Sequence, residues 1–321
     1  MEPPFKITSS ILDFVASISE KLGVIRAENL TKPSPELRKR QRIKTIQASL
    51  AIEGNTLTEE QITALIEKKR IIGPKKDIAE VVNAISVYDQ LDSYNPGSIK
   101  SFLSAHKALM IGLVERPGKL RNTGVGIAKG KEITHVAPPA SQVPFLVKDL
   151  LHYAKTSKHH PLIKSSVVHY EIEFIHPFID GNGRMGRLWQ TLILSKFNEV
   201  FEYLPFETII KNNQRKYYRV LNQCDKAGES TLFIEFILEV LGEALDELLL
   251  VRRPVITPEL RINTFLKQSP LDEFSRAQYL DFHRDISTAT ASRDLKLGVE
   301  IGLLVRTGER RNAIYRRLAR V

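Results

Sequence analysis

The sequence predicts an all-α fold that carries one small β-hairpin and is followed by a separate, smaller C-terminal module. Three observations predict it. Apolar residues recur at a helical period through most of the 321 residues. One stretch, 118–139, abandons that period: Gly, Thr and Val alternate and Pro138-Pro139 ends the run. After Arg252-Arg253-Pro254, which reads as a linker, the helices shorten and two strand-like runs close the chain.

The elements follow in order. Ser9 to Leu22 presents Ile11, Leu12, Val15, Ile18 and Leu22 near a 3.6 period, and Leu37 to Ala51 presents Ile43, Ile46, Leu50 and Ala51 on one side. Thr58, followed by Glu60 and Gln61, reads as a cap before Ile62, Leu65 and Ile66. Asp77 to Leu91 and Ile99 to Val114 repeat the helical pattern. Helices resume at Ser141 to Ala154, Pro161 to Phe174, Arg184 to Phe197, around Gln214 to Cys224, and at Thr231 to Leu250. In the last segment, Pro258 to Lys267, Ser275 to Phe282 and Thr288 to Leu297 read as three short helices, and Leu303 to Leu318 as two strands around Thr307-Gly308-Glu309. Three small helices and a hairpin fit a winged helix-turn-helix.

Composition narrows the function classes. The length is a soft prior for two or three domains, and 42% hydrophobic with 26% charged residues is ordinary for a globular chain. One cysteine, Cys224, excludes an intrachain disulfide and a cysteine-rich zinc module. Met1-Glu-Pro-Pro-Phe-Lys shows no secretory pattern, and Thr231 to Val251 is interrupted by five acidic residues, so a cytoplasmic protein without a membrane contact is expected. A net charge of +10 permits an anionic partner.

The segment with the most specialised residues is His176-Pro-Phe-Ile-Asp-Gly-Asn-Gly-Arg-Met-Gly-Arg187, between two helices. Gly181 and Gly183 allow positive φ and close backbone approach, and Asn182 tolerates the left-handed region. A Gly-rich loop that opens a helix is an anion site, because unpaired N–H groups and the helix dipole point the same way. Arg184 and Arg187 lie three apart on that helix, so both could face one ligand. His176 can take a proton near neutral pH, and an aspartate such as Asp180 beside phosphates is the usual anchor for Mg²⁺. The set suggests transfer of a phosphate-containing group to a hydroxyl. The bland alternative is an Asp-Gly-Asn-Gly turn with cationic neighbours.

This segment resembles the signature of the Fic family, H-x-F-x-D/E-G-N-G-R-x-x-R, with every specified position matched. The resemblance covers residues 35 to 250 and implies a Fic-type helical core with a β-hairpin flap. It implies an enzyme that moves AMP from ATP to a Ser, Thr or Tyr hydroxyl of a protein. On that basis His176 would deprotonate the target, Asp180 would hold Mg²⁺, and Gly181, Asn182 and Gly183 would steady the phosphoryl oxygens. Arg184 and Arg187 would hold the β- and γ-phosphates, and Met185 and Gly186 would join the nucleotide-contacting set. Phe178 would pack into the core. The flap would pair with the backbone of the target, with Gly118 and Arg121 preceding it and Ile133, Thr134, His135 and Val136 at its ligand-facing end. For His135 an exposed loop residue is an equal alternative. Tyr217 and Tyr218 would border the adenine and ribose, with core packing as the alternative, and Asp225 stands where relatives often carry Asn.

A second short motif, Ser49-Leu-Ala-Ile-Glu53-Gly54-Asn55, resembles the inhibitory S/T-x-x-x-E-G/N pattern of the same family. A glutamate that reaches Arg187 would occupy the group meant for the γ-phosphate. The alternative is a Glu-Gly helix end on a solvated face. Residues 251–321 carry 14 Lys+Arg against 8 Asp+Glu, a net +6 of the total +10. Ser287 would cap a recognition helix, Leu303-Leu304-Val305 and Ile314-Tyr315 would form the wing strands, and Arg306, Arg310 and Arg311 would lie at the wing tip. Duplex DNA and a protein partner are equally open for this module.

These readings divide the chain into an N-terminal helical region (1–97, with the inhibitory helix at about 35–54), a catalytic core (98–250) and the winged module (251–321). The expected function is autoinhibited protein adenylylation, including self-modification. A nucleotide-sensing DNA-binding regulator, and a Fic enzyme doing phosphoryl transfer or AMP removal, are the alternatives. Homodimerisation is left open.

Overall fold

The structure, a computed structural model, describes residues 2–27, 34–124, 126–129, 132–251, 257–284, 286–308 and 313–318. Among them are fourteen α-helices and five short strands, in two compact units, Met1–Leu249 and Leu250–Val321. None of the described helices is long and apolar enough to cross a membrane.

The larger unit contains α1 (Ser9–Ala27), α2 (Pro35–Ile52), α3 (Glu59–Ile66), α4 (Lys75–Asp89) and α5 (Ile99–Met110), then β1 (Gly126–Lys129) and β2 (Glu132–Val136). It continues with α6 (Val143–Thr156), α7 (Pro161–Ile175), α8 (Asn182–Phe197), α9 (Phe206–Asn212), α10 (Gln214–Ala227) and α11 (Thr231–Val251). The apolar periodicities converge on one core, which runs from Ile11 and Ile18 through Ile46, Leu50, Phe102, Val167 and Trp189 to Phe233 and Leu245. The N-terminal helices and the helices flanking the motif therefore share a single interior. Thr58 makes the expected capping box, its side chain accepting from Gln61 N while Gln61 accepts from Thr58 N.

The hairpin is real: β1 and β2 pair antiparallel, Gly126 opposite Val136, with an irregularity between Ile127 and Ala128. One expectation is corrected, and one helix is not read from the sequence. α5 ends at Met110, not Val114, because Ile111 turns extended, Gly112 takes φ +75°, and Asn83 Nδ2 donates to the carbonyls of Leu109 and Ile111. α9 was not anticipated; it follows Pro205, has seven residues and packs on α2. Cys224 is fully buried, and burial pushes its thiol up to about 11.

The smaller unit runs α12 (Pro258–Gln268), β3 (Glu273–Ser275), α13 (Arg276–Phe282), α14 (Thr288–Glu300), β4 (Leu304–Thr307) and β5 (Ile314–Arg317). Its antiparallel sheet has the order β3-β5-β4, and β3 is too short to have been read from the sequence. Ile262, Phe265, Phe274, Tyr279, Leu295 and Leu304 form its own core. Ser287 caps α14 by accepting from Thr290 N, as expected. Arg252, Arg253 and Pro254 of the linker, and Arg310 and Arg311 of the wing tip, lie outside the described residues.

Candidate functional site

The candidate site is the turn between α7 and α8. α7 stops because His176 takes the left-handed conformation (φ 49°, ψ 61°), which only one other non-glycine residue among those described, Lys68, approaches. Gly181 then supplies φ +86° as the residue before α8, where a Cβ would lie 2.7 Å from Met110 Sδ. The ring of His176 has Nδ1 3.4 Å from the Glu173 carbonyl; the tautomer that donates there leaves Nε2 as the basic atom.

The turn is held by its own side chains. Asn182 is buried and brackets Phe178: Oδ1 accepts from Phe178 N at 2.9 Å and Nδ2 donates to Phe178 O at 3.0 Å. The amide side chain of Asn182 is thus spent on the backbone of the turn, and what faces the open end of α8 is the backbone N–H. Phe178 is fully buried and stacks on the His106 ring, centroids 3.5 Å apart. His106 Nδ1 accepts from Gly118 N, so Nε2 carries the proton and donates to the Asp180 carbonyl at 3.0 Å. Burial pushes His106 down to about 4, which keeps the ring neutral.

The two motif arginines diverge. Arg184 is buried and gives Nη1 to Glu80 (3.0 Å) and Nη2 to Asp180 (2.9 Å). Glu80 also accepts from Asn55 Nδ2 at 2.8 Å, so a chain of charge and amide joins the end of α2 to the turn. Arg187 has no exposed surface; Nε donates to Ser49 Oγ (3.0 Å), and Nη2 to Ser49 O (2.9 Å) and Glu53 Oε1 (2.7 Å). Its Nη1 has no hydrogen-bond partner among the described residues. Burial would lower the basicity of Arg187, but the Glu53 and Glu173 carboxylates outweigh it and hold the guanidinium firmly charged. Glu53 follows the last residue of α2 and Gly54 takes φ +91°, a helix end that turns the Glu53 side chain toward α8. Gly183 is where the two helices meet: a Cβ there would collide with Glu53 Oε1 and come within 3.1 Å of both Arg187 Nη1 and Glu173 Oε1.

Other predicted residues are placed as follows. Met185 is in the core and its N–H is taken by Gly181 O, while Gly186 lies against His169, where a Cβ would sit 2.5 Å from the ring. Both are expected among nucleotide contacts; what the structure shows of them is their packing in the core and between α7 and α8. Tyr217 is fully buried and donates to Glu173 Oε1 at 2.9 Å, the core-packing alternative named for it, whereas Tyr218 is 41% exposed. Asp225 accepts from Tyr170 Oη at 3.0 Å. Ile133, Thr134, His135 and Val136 lie on β2, and their side chains are outside the described residues.

Sequence reasoning missed Glu80, Glu173 and Glu207. Glu80 and Glu173 face the motif from α4 and α7. Glu207 is wholly buried behind α2, accepts from Thr191 Oγ1 at 3.3 Å, and is pushed up to about 8 by burial. Each looks like a solvated charge in its own helix, and only the fold brings it inside. No group of three or more potential metal ligands occurs among the described residues. Asp180 alone, half exposed and with Oδ1 taken by Arg184 and Gly181 N, fits a Mg²⁺ that draws its remaining ligands from phosphate and water.

The larger unit is thus a helical bundle that presents a Gly-rich helix N-terminus beside a histidine. Residues 96–194 match the model of the Fic/DOC family. The structure is similar to that of a Fic family protein from Desulfovibrio desulfuricans G20, with 39% identity, a TM-score of 0.75 and coverage of 100% of this chain and 99% of the other. The chain belongs to the Fic family. It is 27% identical over 250 residues to Protein adenylyltransferase Fic of Drosophila yakuba and 29% over 217 residues to that of Drosophila willistoni, 73% and 63% of this chain. It spans less than half of those relatives, 45% and 40% of their lengths. Fic-1 from C. elegans shares the fold at 20% identity and a TM-score of 0.61, over 75% of this chain and 71% of the other.

Proposed function

We propose that the chain transfers AMP from ATP to hydroxyl groups of proteins, itself included, and that Glu53 restrains the reaction. The observation that carries this reading is the Arg187 guanidinium, clasped by Ser49 and Glu53 at the open end of α8 with Nη1 left over for an anion. Similarity to proteins named adenylyltransferases supports AMP as the transferred group.

In this reading His176 Nε2 takes the proton of the target hydroxyl. The oxygen bonds to the α-phosphorus, the bond to the β-phosphate oxygen breaks, and pyrophosphate leaves with the electron pair. The N–H groups that open α8 receive charge on the phosphoryl oxygens. Asp180 would hold Mg²⁺, which supplies charge neutralisation along the phosphates. With Glu53 on Arg187 the triphosphate loses a clamp and sits out of line. Glu53→Gly should raise AMP incorporation at least about ten-fold, and adding His176→Ala should remove it. Mass spectrometry of the Glu53→Gly protein with ATP and Mg²⁺ reads the added AMP. Label from α-³²P-ATP alone supports AMP transfer; label from γ-³²P-ATP alone indicates phosphoryl transfer instead.

A second reading concerns the smaller unit, which we take as a winged helix that contacts duplex DNA. Arg293 and Lys296 are exposed on α14, with Arg276 and Arg306 exposed on α13 and β4, while the one acid between them on the helix, Asp294, is withdrawn into a buried pair with Arg261. Fluorescence anisotropy with a DNA duplex should show binding that weakens about ten-fold or more between 50 and 200 mM salt. No binding at low salt discards this reading.

A further inference from the structure

Arg121, just before the hairpin, is 3% exposed, and among the described residues no carboxylate pairs with it. Its guanidinium goes entirely to backbone carbonyls. Nε donates to His176 O at 2.7 Å; Nη2 to Pro138 O at 2.6 Å and Ile175 O at 3.2 Å; Nη1 to Thr123 O at 2.9 Å. Its own N–H donates to Pro177 O at 2.9 Å. Thr123 and Pro138 are the two roots of the hairpin; Ile175 and His176 are the last turn of α7. Burial lowers the basicity of the guanidinium, and the carbonyls at the negative end of α7 offset that cost.

We propose that Arg121 is a positioning residue that ties both roots of the hairpin to the backbone of His176, so that the strand receiving the target and the base share one rigid frame. His176 holds a left-handed conformation, and Arg121 is the side chain that takes its carbonyl. The planar fork of an arginine can serve four carbonyls at once; a lysine ammonium, a point donor on a flexible stem, cannot. What the frame serves rests on the AMP-transfer reading, whereas the tie itself does not.

The test uses the full chain carrying Glu53→Gly, with Arg121→Lys or Arg121→Gln added. Amide exchange across 124–137 should quicken about ten-fold or more in both, with protection in the middle of α8 retained. AMP incorporation at saturating ATP should fall about ten-fold, while the ATP concentration giving half the maximal rate stays within about three-fold, because the groups at the head of α8 are untouched. Arg121→Lys should recover part of the protection lost in Arg121→Gln. Unchanged hairpin exchange in Arg121→Lys overturns the proposal, as does equal loss of protection in α7 and α8, which marks a merely structural residue. If Glu53→Gly alone incorporates no AMP, the AMP-transfer reading fails and hairpin exchange still decides this one. If the variants do not fold, exchange of the Glu53→Gly protein in low denaturant decides: hairpin-root and 176–178 amides that open together support the tie, and separate opening overturns it.

Discussion

A buried guanidinium with an unused N–H pair, as in Arg187, costs free energy unless something takes it up. Ser49→Ala should make the deficit worse, leaving Nε unpaired as well and costing about 1–3 kcal/mol, read by chemical denaturation. The buried histidines give a second expectation. Burial presses His106 down to about 4 and His169, between Gln190 and Tyr217, down to about 3. Their imidazole ¹⁵N shifts should show neutral rings from pH 8 to pH 5, where exposed histidines titrate. Because the unfolded chain binds these protons from about pH 6.5 downward and the folded chain does not, their stabilisation is complete above pH 6.5. It falls as pH drops toward 3, by about 2 kcal/mol each at pH 5. The residues legible in the sequence were those within one local motif: His176, Asp180, Gly181 and Arg187, and Glu53 through its Ser49 spacing. Glu80, Glu173 and Arg121 were not given these partners in advance, since their contacts lie 104, 44 and 55 residues away in the chain.

At the level of elements, α2 decides how the proposed restraint could act. Ile43, Ile46, Leu50 and Ile52 lie in the main core, and α2 packs on α3, α4, α8 and α9. Lys211 reaches Gln47 and Gln214 Nε2 donates to Ile52 O, which fastens the end next to Glu53. Leu50→Ala should therefore cost about 2–5 kcal/mol of global stability through a cavity, and Glu53→Gly about 1–3 kcal/mol, because it leaves the buried Arg187 cation without its ion pair; denaturant melts compare them. Under the proposed restraint, its relief would be a side-chain event and not the departure of a helix. The helices were legible because each keeps its period over several turns and Thr58 and Ser287 announce two starts. α9 and β3 were not, because seven and three residues are too few for periodicity to speak.

For the whole molecule, the two units have separate cores, and among the described residues of the smaller one a buried ion pair joins two helices. Arg261 on α12 gives Nε and Nη2 to Asp294 on α14 at 2.6 and 2.8 Å, and Tyr279 Oη donates to the same carboxylate at 3.3 Å. Asp294→Ala would leave a largely buried cation without its partner, so about 3–5 kcal/mol should be lost. Amide exchange should place that loss in 257–318 and leave the larger unit protected. A count of charges along the sequence has Asp294 cancel the charge of its neighbour Arg293; the fold withdraws Asp294 from the surface and leaves the exposed face of α14 more basic than its composition.

Cys224 also matters for experiment. Since the chain has one thiol, and burial both hides it and raises it to about 11, the folded protein should react slowly with maleimides and other thiol probes at neutral pH. A single cysteine introduced on the hairpin and another on the surface of α6 would thus report as a clean donor and acceptor pair. The distance between the hairpin and the rest of the core could then be followed with and without ATP in an otherwise unaltered chain.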